Sequence, residues 1–380
     1  MKKSIRKMII FIIVILVLVM IKVIWVSINM CNIGSFESEK DDILKRRNYL
    51  IEKVITNPNA LINSMPESIG PQFQGEWAMY SCFMLSTSLE NTASLYPETR
   101  EQAIHQIDSL IEIVMSPELR LYDAMRWGED PLENLSGNKS HVSYLSILAW
   151  MIGNYKAVGG SSKYDSTYNE VCDAMNRRIL ESPSLNIETY PGECIYVPDM
   201  LVAIVALHRF ASFNHGKYES TVQNWIEKAK TDWIDSKTGL IESALPNGTL
   251  PIRGSYTSLS CYYLTYIDGE FAKDQYTKLK QIFLQKNPAT GIKEYSDKTC
   301  WLGFDIDAGP IILNLSPSGT AFAVGPSSFF GDSELRTKLL KTAEIAGSSW
   351  SWKSQKHYLL ADFALVGEAI TLAMRTSVSR

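Results

Sequence analysis

Ser236-Lys237-Thr238-Gly239-Leu240 and Pro288-Ala289-Thr290-Gly291-Ile292 read as two copies of one turn. Two looser copies precede them, Ser116-Pro117-Glu118-Leu119-Arg120-Leu121 and Ser182-Pro183-Ser184-Leu185-Asn186-Ile187. Leu121, Ile187, Leu240 and Ile292 thereby recur at spacings of 66, 53 and 52 residues. Recurrence at a period of this size marks stacked supersecondary units. Each copy follows an amphipathic segment and precedes a polar, Gly/Pro-bearing stretch, then a more apolar segment. Gly239 and Gly291 fit the left-handed position that closes a helix.

Outward from these turns, apolar residues at helical spacing predict helices over 37–56, 77–95, 98–115, 142–155, 166–180 and 199–210. Further helices are expected over 220–233, 256–266, 270–284, 333–345 and 358–374. Residues 142–150 and 200–207 are apolar on every side, as a helix packed on both faces requires, whereas 220–233 keeps a polar face. About twelve helices in six hairpins describe an all-α (α/α)6 toroid. An open helical array is the alternative; loops of unequal length carrying unusual residue clusters favour closure. Alternating strands are scarce, and no Gly-rich stretch opens a helix as a dinucleotide fold would need.

Composition agrees with a globular domain. The 380 residues are 46% hydrophobic and 21% charged, with a net charge of -4, which excludes a disordered chain or a collagen-like fibre. Outside the extreme N-terminus there is no long basic run, so nucleic acid is not an expected partner. The six cysteines (Cys31, Cys82, Cys172, Cys194, Cys261 and Cys300) form no CxxC pair, which excludes zinc-ribbon and thioredoxin-like readings. No cofactor or metal is expected.

The chain opens with Lys2, Lys3, Arg6 and Lys7, and residues 8–21 then contain no polar side chain. Residues 8–28 have the length needed to cross a bilayer, with Lys22 and Trp25 suited to its outer interface. The basic cluster would stay cytoplasmic, placing the rest of the chain outside. A cleaved signal peptide is the competing reading, but Ser27-Ile28-Asn29-Met30-Cys31 lacks small residues at a cleavage site. The expected organisation is a basic stub and anchor (1–30), a juxtamembrane helix and loop (31–74) and the toroid (75–380).

In a toroid, loops from different hairpins converge at one rim, so five clusters are candidates for chemistry. Glu76 and Trp77 lie where a loop becomes a helix, a favourable place for a carboxylate; capping is the alternative role for Glu76. Arg126-Trp127-Gly128-Glu129-Asp130 is followed by His141 at the head of an apolar helix, from which an imidazole would face the cavity. Tyr190, Glu193, Cys194 and Tyr196 sit on a loop stiffened by Pro191, Gly192 and Pro198, with Asp199 read as the cap of the next helix. Arg253 precedes Tyr256, Tyr262, Tyr263 and Tyr266; the cation suits an anionic group and the tyrosines suit stacking on a sugar, with core packing as the alternative. Asp305 and Asp307 alternate with apolar residues, so an extended backbone puts both carboxylates on one side, as an acid/base pair or a hard-cation site needs.

The Gly75-Glu76-Trp77, Tyr190-Pro191-Gly192-Glu193-Cys194 and Trp301-to-Pro310 segments, set among paired helices, resemble bacterial α/α-toroid enzymes, nearest to the linalool dehydratase/isomerase-like family. That resemblance implies an (α/α)6 barrel and cavity chemistry from acids, histidine, tyrosines and cysteines. His141, Tyr190 and Cys194 match it in residue type, but its close cysteine pair is not reproduced.

The expectation is an anchored extracytoplasmic enzyme (lyase, isomerase or hydrolase) acting on an envelope glycan or a small hydroxylated or isoprenoid molecule. Asp305 or Asp307 would be its base and Glu76, Glu193 or His141 its acid. Trp77, Trp127, Asp130, Tyr190, Cys194, Tyr196 and Arg253 would hold substrate. The alternative is a binding module that uses the same cavity without turnover.

Overall fold

The computed structural model describes residues 2–379. Helix α1 (Lys2–Met30) leads into α2 (Phe36–Ile51), and a short α3 (Pro58–Leu61) precedes α4 (Gly70–Leu95), which turns back into α5 (Arg100–Met115). After α6 (Pro117–Trp127) comes a hairpin of α7 (Val142–Ala157) and α8 (Asp165–Glu181). Three more pairs follow, α9 (Val197–Phe213) with α10 (Glu219–Asp232), α11 (Gly254–Leu264) with α12 (Gly269–Phe283), and α13 (Pro317–Phe329) with α14 (Ser333–Gly347). Helix α15 (Leu365–Arg375) completes the order.

The ring is closed. Helices α4, α7, α9, α11, α13 and α15 each pack on the next, and α15 packs on α4. Their sequences explain the position: every residue of α7 from Tyr144 to Tyr155 is buried. The outer helices bury one stripe only, as α12 does with Phe271, Gln275, Tyr276, Leu279 and Phe283. Inside the ring, Trp150 on α7 meets Phe83 on the adjacent α4 (ring centroids 5.1 Å apart) and Tyr263 on α11, the next helix but one (5.4 Å). These side chains pack the middle of the ring.

The inner helices start at the rim crossed by the long connections, residues 116–141, 182–196, 233–253, 284–316 and 348–364. The opposite rim carries short turns such as 96–99, 265–268 and 330–332.

Helix α2 supplies the outer partner that α15 otherwise lacks, packing on α15 and α4. The seam between these segments is ionic and buried. Glu39 on α2 accepts from Arg336 (2.6 and 2.8 Å) and Arg375 (2.5 Å), while Asp42 is held by Arg46, Arg375 and Lys356. Arg46 also reaches Glu368 (2.8 Å) and Glu344 (3.5 Å). Arg46, Arg336, Lys356 and Arg375 thus face Glu39, Asp42, Glu344 and Glu368, a balanced set of buried charges.

Several expectations need correcting. The boundary at residue 75 moves, because α2 belongs to the ring and α4 begins at Gly70. Leu121 is not equivalent to Leu240 and Ile292: it is exposed on α6, while they are fully buried. There, Ser116 caps a helix (Leu119 N–H to its hydroxyl, 3.3 Å) with Pro117 in the first turn, a strong start signal. Gly239 has φ +67°, but Gly291 lies in a strand paired with Gln285. Gly291 is required by close approach instead, since a β-carbon would lie 2.9 Å from the Thr320 hydroxyl. The helix expected from residue 358 begins only at Leu365, because Ser349–Trp352 and Gln355–Tyr358 pair as a hairpin. Helix α13 was not expected from a segment rich in Pro, Gly and Ser; burial between α11 and α15 overrides its weak propensity.

Candidate functional site

The site is assembled at the rim where the inner helices begin. Pro71 stands in the first turn of α4, which puts Glu76 and Trp77 in the second. Pro198 likewise stands at the start of α9, so Asp199 is its third residue and not the cap, a position taken by Tyr196. Arg253 immediately precedes α11, whose first residue, Gly254, donates its N–H to the Glu294 carbonyl (3.0 Å). Only glycine permits this approach, because a β-carbon there would overlap the Lys293 carbonyl oxygen. Strands Leu302–Asp305 and Gly309–Ile312 form a hairpin that carries Asp307 in its turn.

Two groups of side chains meet. In the first, Arg126 donates to Glu76 (3.1 Å) and lies 3.4 Å over the Tyr190 ring, while Thr189 donates to Asp199 (3.0 Å). In the second, Arg253 pairs with Glu294 (2.6 Å) and Asp305 (2.5 Å) and lies 3.6 Å from Asp307, which accepts from the Tyr256 hydroxyl (2.8 Å). Tyr196 joins the two, edge-on to Tyr256 at 6.3 Å and donating to Glu193 at 3.0 Å. Beneath them Tyr80 and Tyr263 share a hydrogen bond of 2.5 Å.

The carboxylates feel one another across the groups. Burial, then the Glu76 charge, raises Asp199 to about 7, against the opposing hydrogen bond from Thr189. Burial also raises Glu76 against the pull of Arg126 and Tyr190, with Asp307 and Glu193 adding to the rise. Asp307 is raised by burial and by Asp305 and Glu193, in spite of Tyr256 and Arg253. Asp305 behaves oppositely. Burial alone would raise it, but the Ala308 N–H, Arg253 and the Asp307 N–H hold it low. It forms the turn and stays ionised, whereas Asp199 holds a proton up to neutrality. An environment that pushes one carboxyl toward neutrality sets it apart as a candidate acid. One donor is also unspent, for Nη1 of Arg126 is buried without a partner among the described residues.

The fold has a match among solved structures. A glycoside hydrolase from family 105 of C. acetobutylicum ATCC 824 is similar over 87% of this chain and 98% of its own, with a TM-score of 0.57 and 10% identity. At that identity the likeness shows an α/α toroid and nothing finer. No family model matches the chain, so the linalool dehydratase/isomerase-like resemblance stands at the level of the toroid.

Of the residues singled out in the sequence, Glu76, Tyr190, Glu193, Tyr196, Arg253, Asp305 and Asp307 belong to this connected cluster. Trp77 is half-buried in the same turn as Glu76, and Cys194 half-buried beside Tyr196. His141 does not face a cavity. It is fully buried, with Nδ1 2.5 Å from Asp123 and its ring against Trp127. Both neighbours come from α6, the helix that the sequence reading omitted. Trp127 is buried with it, and Asp130 pairs with Arg120 (2.7 Å) and accepts the Leu132 N–H (2.9 Å), holding the loop. In the other direction, Arg126 and Asp199 are central although neither was proposed as a site residue.

A structural His141 makes a prediction. Its φ is +49°, which asparagine tolerates, so His141→Asn keeps the turn but loses the Asp123 bond. The expected cost is about 1–3 kcal/mol of stability in denaturant titration, with an unchanged pH profile of turnover. A displaced profile would return His141 to the chemistry.

Proposed function

We propose that the protein is a membrane-anchored, extracytoplasmic toroid hydrolase that cleaves a glycan by general acid/base chemistry. The observation that carries the reading is the meeting of Asp199, protonated up to about pH 7, with Glu76, Glu193 and Asp307 at one rim. Asp199 gives its proton to the leaving glycosidic oxygen as the C–O bond breaks. A water oxygen bonds to the anomeric carbon and passes its proton to Asp307, whose carboxylate is fixed by Tyr256 and Arg253. Arg126, anchored by Glu76 and stacked on Tyr190, supplies a fixed positive charge beside the carboxylates. Tyr196 and Tyr256 supply faces on which a sugar ring can stack. The glycoside hydrolase of the same fold supports a glycan-acting enzyme. Anchoring rests on α1, from which Arg6–Met30 is long and apolar enough to cross a membrane.

The test is release of reducing ends from purified envelope glycans by the full chain in detergent. Turnover by the wild type and its fall by about 10²–10⁴-fold in Asp307→Asn, the range typical of a lost acid or base, is the expected result. Binding of the glycan with no turnover by the wild type would leave a binding module instead.

A further inference from the structure

The rim that carries the acidic cluster is also where the protein exposes its apolar surface. On the hairpin before α13, Trp301, Leu302 and Phe304 are 63, 81 and 71% exposed. On the connection before α15, Trp350, Trp352 and Phe363 are 45, 65 and 73% exposed. At the opposite rim Phe213 is the comparable residue, at 41%. Soluble surfaces seldom gather large apolar side chains in this way, and a gathering marks an interaction site. Tryptophan so placed is typical of the level where lipid headgroups meet acyl chains.

The direction of α1 says what covers this rim. Helix α14 runs from the far rim to the site rim. Near its start, Arg336 donates to the Gly34 carbonyl (3.1 Å). Just past its end, the Ser349 carbonyl accepts from the Trp25 indole (2.6 Å), and Trp25 stacks on Trp350 at 5.6 Å. The last turns of α1 therefore lie antiparallel to α14, and the residues before Trp25 project beyond the site rim. Those residues, 8–24, are exposed throughout.

We infer that the site rim faces the bilayer, with the phospholipids of its outer leaflet covering the apolar side chains, so that the carboxylate cluster takes a glycan carried on a membrane lipid. The inference rests on the anchor and the glycan-cleaving reading proposed above. Trp25, at the end of the apolar stretch, sets the depth, and Trp350 against it shares that level. Trp301 and Phe304, on the hairpin that holds Asp305 and Asp307, bring the carboxylates to the membrane surface. A substrate tethered to lipid then reaches the site without leaving the bilayer.

The experiment uses the full chain in phosphatidylcholine/phosphatidylglycerol vesicles, with lipids brominated either near the headgroup or at mid-chain. Headgroup-proximal bromine should quench tryptophan, and Trp301→Phe and Trp352→Phe should each remove part of the quenched fraction. Phe213→Trp should add emission that neither lipid quenches. Leu16→Trp reports the anchor and should be quenched at mid-chain. If Leu16→Trp is quenched while Trp301→Phe and Trp352→Phe change nothing, the orientation is overturned and the anchor stands. An unquenched Leu16→Trp would overturn both. For the substrate, lipid-linked glycan should be turned over at least tenfold faster than the same glycan after delipidation. Equal rates would overturn the lipid-linked assignment while leaving glycan cleavage intact.

Discussion

Asp199→Asn is expected to lower glycan turnover by about 10²–10⁴-fold while leaving the ring folded. The amide keeps the acceptor for Thr189 but has no proton to give. The wild type supplies the matching pH signature. Asp199 is raised to about 7, so a step that needs it protonated runs below that pH and declines tenfold per unit above it. Stability moves the same way. A carboxyl whose folded pKa lies above its unfolded value binds more protons in the folded state, so stability falls as pH rises from about 4 through 7. Asp199→Asn removes that loss, and its thermal midpoint at pH 8 should equal or exceed the wild type's. An unchanged rate in Asp199→Asn, or a wild-type rate that keeps rising beyond pH 8, would take the acid role from this residue.

Arg375→Met is expected to have the largest effect on stability, a loss of about 3–5 kcal/mol, as when one partner of a buried ion pair is removed. Arg375 holds Glu39 and Asp42 together, and both are buried. Burial alone would raise these carboxyls, but Arg336 and Arg375 hold Glu39 low, while Arg46, Arg375 and Lys356 hold Asp42 well below the carboxylate range. Because the folded pKa values are depressed, this contribution is full above the unfolded values near 4 and is lost as the pH falls below them. The wild type should therefore unfold cooperatively in acid, and Arg375→Met should do so at higher pH. Denaturant titration between pH 3 and 7 reads both effects. A midpoint insensitive to Arg375→Met would show that hydrophobic packing alone closes the ring.

What the sequence disclosed follows the same physics. Residues 142–150 and 220–233 announce an inner and an outer helix because local burial imposes a local period. The two late turns announce a repeat because each hairpin solves the same packing problem. Glu76, Glu193, Arg253, Asp305 and Asp307 were legible because charged residues beside Gly, Pro and aromatics mark rim loops. Asp199 was read as a cap because an acid after proline at a helix start has that simpler use. Nothing local says that Thr189 and Glu76 will stand beside it. His141 was misread because α6, whose side chains bury it, has too short an apolar pattern to declare itself. The ionic seam was invisible for another reason, since Glu39 and Arg375 are 336 positions apart.

That seam also orders assembly. The inner helix that completes the circle is made after the other five, and its carboxylate and guanidinium partners lie on a segment synthesised almost first. Glu39 and Asp42 on α2 gain Arg375 as a shared partner only when that last inner helix is in place. Without α15 the circle stays open between α13 and α4, and adding it both closes the circle and buries those charges together.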